Sequence, residues 1–239
     1  LSPTQLSQPA DSQTKRFRRY FLYSWLTNPD AHRNYLRRVY ADSLARARQT
    51  QPNLFRTGEG HFLLCGVGSV NTAETFCRFA LEIAPAARIT LFDVRPEVLE
   101  KSRARLRACR IGGTNQITLQ MGDALRLPFA AESFDWIETD NFLQFFRKEE
   151  LPQLAAGWHE ILKPGGWFTT RQIFLGSGWG DVFGRLLWQS YSRIISAPCH
   201  EHCPAEVARQ LERASFRVAN RWQPARSFKQ IHSLAAFRP

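Results

Sequence analysis

From residue 61 onward, short apolar runs alternate with longer segments of helical periodicity, and that alternation leaves few architectures open. The strand-like runs are His61 to Cys65, Arg88 to Asp93, Gln116 to Met121, Phe134 to Asp140 and Trp167 to Phe174. Between them lie Thr72 to Ile83, Pro96 to Arg110 and Glu149 to Leu162, the last stopped by Lys163-Pro164-Gly165-Gly166. Strands separated by helices in this way are βαβ units, which build a parallel, doubly wound sheet. Ligands bind on such sheets beyond the carboxyl ends of the strands, near the point where the strand order reverses.

The residues at those ends are small or acidic. The first strand runs into Gly66, Val67, Gly68 and Ser69, the second ends on Asp93, the third on Gly122-Asp123-Ala124 and the fourth on Thr139-Asp140-Asn141. A buried strand that breaks into glycines lets a ligand approach the backbone, and a carboxylate after the next strand can accept ribose hydroxyls. Together these point to an adenosine-type cofactor. Taken singly, Asp93 or Asp123 could cap the following helix; four such strand ends in succession are not explained by packing.

The first 60 residues differ in character. Lys15 to Leu26 and Asp30 to Thr50 have helical spacing, separated by Thr27-Asn28-Pro29-Asp30, and Gln51 to Gly60 has the proline and glycines of a linker. A polar tail, Leu1 to Thr14, precedes them and lacks the apolar centre of a secretory signal. The formal charge is +11, and part of it is concentrated here, where Lys15, Arg16, Arg18, Arg19, Arg37 and Arg38 interleave with aromatic residues. Such a mixture suits RNA, and it also describes the two faces of amphipathic helices. No apolar run approaches the roughly 20 residues that span a bilayer, and a cytoplasmic protein is the expectation. Five scattered cysteines do not form a disulfide framework. Cys199-His200-Glu201-His202-Cys203 crowds thiols and imidazoles too closely to close readily on one tetrahedral metal, so no metal is expected.

With these motifs in place, the chain resembles the class I S-adenosylmethionine-dependent methyltransferases, in the branch acting on small molecules and quinones. The resemblance rests on Leu64-Cys65-Gly66-Val67-Gly68-Ser69, on Thr90-Leu91-Phe92-Asp93, on Gly122-Asp123-Ala124-Leu125-Arg126-Leu127-Pro128-Phe129 leading to Ser133-Phe134-Asp135, and on Glu160-Ile161-Leu162-Lys163-Pro164-Gly165-Gly166-Trp167. It runs from about residue 61 to the C-terminus. It implies a Rossmann-like, doubly wound, seven-stranded α/β sheet whose last strand enters antiparallel through a hairpin. Residues 1–60 would form a tail and helical cap, and a helical lid would be inserted at about 176–203, with Val182 to Ile195 as its helix.

The resemblance also implies a cofactor, S-adenosylmethionine, and a set of residues for it: Gly66, Val67, Gly68 and Ser69 at the methionine part, Asp93 at the ribose, Asp123 at the adenine amino group, Val94 and either Ala124 or Leu125 flanking the ring, and Thr139. Two positions depart from the family pattern. Leu64 stands where most relatives carry an acid, and Val70 where they carry a third glycine. The implied reaction is in-line methyl transfer to a small aromatic or apolar molecule, which needs positioning and exclusion of water more than covalent help. Candidate bases are His200 and His202, then Asp140 and His32, histidine because its ordinary pKa is about 6.5. An RNA methyltransferase and a non-catalytic relative remain alternatives, although Thr139-Asp140-Asn141-Phe142 is not the Asn/Asp-Pro-Pro-aromatic signature of enzymes that methylate base amines.

Overall fold

The computed structural model describes residues 29–113, 115–173, 199–222 and 231–239. The segment Lys15 to Leu26, the lid helix expected at Val182 to Ile195, and most of the lid interval lie outside the described residues. In chain order the elements are α1 (Pro29–Thr50), β1 (His61–Cys65), α2 (Val70–Ile83), β2 (Arg88–Asp93), α3 (Pro96–Ala108), β3 (Ile117–Met121), β4 (Phe134–Asp140), α4 (Leu151–Ile161), β5 (Leu162–Ile173), α5 (Pro204–Arg213), β6 (Arg217–Trp222) and β7 (Ile231–Phe237). Two 3-10 turns, Leu143–Phe145 and Lys148–Glu150, join β4 to α4.

The strands form one seven-stranded sheet in the order β3-β2-β1-β4-β5-β7-β6. β1 to β5 run parallel, and β7 lies antiparallel between β5 and β6. The order reverses between β1 and β4, which makes their carboxyl ends the natural ligand edge. Both faces of the central strands are buried, as a sheet covered by helices on two sides requires. Phe62, Leu64 and Trp136 face a core with residues of α1 and α2, including Tyr40 and Phe76. Leu63, Cys65 and Ile137 face the opposite core with α4 and α5. Each large side chain so buried contributes roughly 1.5–3 kcal/mol over leaving it in water.

Helix α1 explains the basic-aromatic mixture over its length. Leu36, Val39, Tyr40, Ser43 and Ala47 recur at three- and four-residue spacing and are buried, while Arg37 and Arg38 stay exposed. The Tyr40 ring meets Phe76, Phe79 and Trp136 at 5.9, 5.7 and 6.3 Å between centroids. The helix packs on α2 and reaches β6 and β7, and near its start Arg33 donates to Asn71 at 3.2 Å and the Tyr35 ring lies against Arg171 of β5.

Of the boundaries that differ from the sequence reading, two have a specific cause. Helix α2 begins at Val70, two residues early, because Ser69 caps it, its hydroxyl accepting the Thr72 N–H at 3.1 Å. Strand β5 begins at Leu162 directly after α4. Lys163 to Gly166 are absorbed by a break in register between the Phe134–Leu162 and Trp136–Trp167 pairs, so the glycines bulge a strand instead of preceding one.

Candidate functional site

At the end of β1 the chain turns through Gly66 at φ 79° and Gly68 at φ 66°, left-handed values that an L side chain rarely adopts. A Cβ on Gly66 would stand 2.1 Å from Cδ2 of Phe142, whose ring covers the turn. Gly66 N–H donates to the Phe92 carbonyl at 2.8 Å, tying the turn to β2. Val67 is buried beneath it and Ser69 leads into α2. Val70, where a third glycine would fall, is the first residue of that helix and does not have positive φ.

Asp93, at the end of β2, is 5% exposed, and its oxygens are fully engaged. Oδ1 accepts from Arg95 N–H and Nε, both at 2.9 Å; Oδ2 accepts from Arg95 Nη2 at 3.1 Å and Gly68 N–H at 3.4 Å. Arg95 Nη2 also reaches the Gly68 carbonyl at 3.3 Å. Arg95 occupies the N-cap position of α3 and provides no side-chain cap there. The sequence reading passed over it, although an arginine just before Pro96, where Ser, Thr, Asp or Asn is preferred, was a visible irregularity.

β2 and β3 are in register at Asp93 and Met121, and Gly122 N–H donates back to the Asp93 carbonyl at 3.2 Å. Asp123 follows, exposed, with Oδ1 accepting the Leu125 N–H at 2.9 Å. Ala124 is buried. Val94 and Met121 are 49% and 61% exposed, and they are the large hydrophobic residues left in solvent among the described residues. They form an apolar ledge beside two carboxylates; the sequence reading had identified Val94 and missed Met121.

The end of β4 is charged. Asp140 forms an ion pair with Arg171 of β5, its register partner, and both are about nine-tenths buried. The Arg171 guanidinium lies 5.4 Å from the centroid of the Tyr35 ring of α1. Burial works against the Arg171 charge, but the Asp140 carboxylate outweighs it and the guanidinium pKa is raised. His32, near both, is lowered by burial, with Asp140 opposing and Arg171 and Arg33 reinforcing the shift. Deeper on the same face, the Thr169 hydroxyl donates to Glu138 and accepts from Trp136 Nε1 at 2.7 Å. Burial pushes the Glu138 carboxyl well above the ordinary range. Thr139 points to the other face, and its hydroxyl has no hydrogen-bond partner.

His200 and His202 sit over the 3-10 turn that follows β4. His200 N–H donates to the Gln144 carbonyl at 2.7 Å. His202 is 3% exposed, with Nε2 at 3.0 Å from the Leu143 carbonyl and 3.1 Å from that of Phe146, positions that require Nε2–H as donor. Burial lowers its pKa, and Nδ1 has no partner. The fold therefore brings Gly66 to Ser69, Asp93, Val94, Asp123 and Ala124 to one edge. Asp140 joins His32, Tyr35 and Arg171 beside it, and His202 is committed to the backbone. No group of three His, Cys, Asp or Glu side chains among the described residues could hold a metal ion.

Comparison with known proteins bears on the same segment. A family model described as a methyltransferase domain matches residues 63–166. The chain is 30% identical over 116 residues to a demethylmenaquinone methyltransferase of Symbiobacterium thermophilum, an alignment covering 48% of this chain and 42% of that protein. It is 32% identical over 108 residues to the ubiquinone/menaquinone biosynthesis C-methyltransferase UbiE of Paracoccus denitrificans, covering 45% and 40%. The chain thus matches about two-fifths of the length of these relatives. Among solved structures, the geranyl diphosphate C-methyltransferase of Streptomyces coelicolor A3(2) superposes with a TM-score of 0.60 at 13% identity, over 76% of this chain and 73% of that one. At that identity the likeness is one of fold.

Proposed function

Because this chain belongs to the class I S-adenosylmethionine-dependent methyltransferases, we propose that it transfers a methyl group from S-adenosylmethionine to a small, flat or apolar acceptor of quinol type. The observation that carries the reading is the pair of acidic strand ends, Asp93 and Asp123, set around the exposed ledge of Val94 and Met121 beside a left-handed glycine turn. That arrangement suits an adenosine: a carboxylate for a diol, a second for an exocyclic amine, and apolar surface for the ring between them. When bound, S-adenosylmethionine supplies an electrophilic methyl on a sulfonium whose charge is lost as the acceptor attacks.

The residues of the chain have binding, orienting and water-excluding work in such a reaction. Gly66 and Gly68 allow the left-handed turn, over which the Phe142 ring packs. Near the start of α1, the Tyr35 ring lies against Arg171 of β5. Among the candidate bases, His202 spends Nε2 on two carbonyls and Asp140 is matched by Arg171. His32 keeps an unbonded ring nitrogen, Nδ1, and burial lowers its pKa.

The test is a calorimetric titration of the full chain with S-adenosylhomocysteine, followed by incubation with methyl-labelled S-adenosylmethionine and a series of quinols. Saturable binding and label in an organic-soluble product are expected. Absence of binding at millimolar ligand overturns the reading, and label in added RNA with a steep salt dependence replaces the acceptor class.

A further inference from the structure

On the basis of that reading, we infer that the Asp140–Arg171 pair is the receptor for the amino-acid head of the cofactor, with Asp140 facing its ammonium and Arg171 its carboxylate. An α-amino acid is a zwitterion, and its recognition in a site closed to water calls for one fixed charge of each sign at close range. Asp140 and Arg171 are such a pair. They are register partners at the ends of adjacent strands, 8% and 9% exposed.

Their position is next to the glycine turn. Leu64 of β1 is in register with Glu138 of β4, so two residues further along come Gly66 on one strand and Asp140 on its neighbour. Leu64 is apolar and fully buried, and so gives the turn no charge of its own. Glu138 beside it is engaged by the Thr169 hydroxyl, and burial pushes its carboxyl well above the ordinary range. Asp140 is the carboxylate at the end of β4 that is paired with a guanidinium.

Stability does not explain the pair. A buried ion pair is commonly replaced by apolar residues with no loss, because desolvation offsets its attraction. Here the pair also leaves a hydrogen-bond donor unused, since Arg171 Nε is buried and has no acceptor. Tyr35 holds the guanidinium from the α1 side. A guanidinium fixed in this way, with Nε–H still unbonded, has a donor to offer a carboxylate.

The experiment compares two ligands on the full chain by calorimetry. S-adenosylhomocysteine carries the amino-acid head, and 5′-methylthioadenosine keeps the adenosine and thioether without it. The native protein should prefer the first by about 10–100-fold, the range expected for charge-assisted contacts. The double variant Asp140→Asn/Arg171→Met removes both charges together, which leaves no unpaired charge in the core. It should lose most of the preference while binding 5′-methylthioadenosine within about twofold of the native protein. Equal affinity of the native protein for both ligands, or a double variant that keeps the preference, overturns the assignment. If neither ligand binds, the adenosine site itself is wrong, and this inference falls with it.

Discussion

Arg95 is the residue whose removal should strengthen cofactor binding. A carboxylate offers about four lone-pair directions, and Asp93 has all four filled, two of them by the Arg95 side chain through Nε and Nη2. A ribose diol can use Asp93 only after those two bonds are given up. Bonds to a charged partner are worth roughly 1.5–3 kcal/mol net. The freed guanidinium regains water, since its side chain is only 14% exposed in the pair, and this returns part of the loss. A net penalty of about 1–2 kcal/mol remains, or about 5–30-fold in affinity. Arg95→Ser should therefore bind S-adenosylhomocysteine more tightly by that factor in calorimetry, and it supplies α3 with the cap it lacks, worth about 0.5–1 kcal/mol of stability. The gain should vanish for the 2′,3′-dideoxy ligand, which has no hydroxyls to place. Unchanged or weaker binding by Arg95→Ser would refute the competition and make Arg95 the group that holds Asp93 ready for the ribose.

Three further outcomes are expected. Gly66→Ala forces an L residue into a left-handed conformation, roughly 1–2 kcal/mol, and drives its Cβ into Phe142; urea unfolding should show at least that loss, partly recovered in Gly66→Ala/Phe142→Ala, and an unaltered midpoint contradicts the geometry. His32, His61, His159 and His202 are all lowered below 6.5 by burial. The unfolded chain therefore binds protons first, and stability present above about pH 6.5 should decline as the pH falls below it, with a flat urea midpoint over that fall as the contrary result. Tyr40→Phe removes a fully buried hydroxyl that has no hydrogen-bond partner; it should leave the thermal midpoint unchanged or raise it by an amount equivalent to at most about 1–3 kcal/mol, and a clear fall would mean the hydroxyl is bonded.

The parts legible in the sequence were those set by local chemistry. A strand that stops at Gly66, a carboxylate at the end of β2 and a helix opened by Pro96 are each written in consecutive residues, and the strand ends could be read off without knowing the sheet. What depended on register could not. Arg171 sits in a strand among Thr169, Thr170 and Gln172, and its meaning comes from Asp140 on the neighbouring strand, a partner that only the β4–β5 pairing identifies. Met121 reads as the last core residue of a strand, and the chain gives no sign that it is left in solvent beside Val94. The spacing of His200 and His202 suggested chemistry, whereas His202 is used to fasten its segment to the carbonyls of Leu143 and Phe146. Arg95 could have been found, since a poor N-cap before a proline breaks a local rule without local compensation.

Asp93 and Asp140 are both answered by an arginine of the same chain, yet the two pairs cannot respond to a ligand in the same way. Arg95 stands two residues from Asp93 at the mouth of α3, and rotation about its own side chain is enough to release the carboxylate. Arg171 projects from β5, between β4 and β7, and its guanidinium is buried against Asp140 and Tyr35, which leaves it little room to turn away. A zwitterion can therefore only be added to the Asp140–Arg171 pair, giving alternating charges in a buried place where each contact is strengthened by the low dielectric. On the proposed assignment the first pair would set a threshold for a ribose, while the second would present a template that a ligand without the amino-acid head leaves unfilled. An adenosine that lacks this head would then meet the threshold without gaining the template, and a preference for the complete cofactor is the expected outcome.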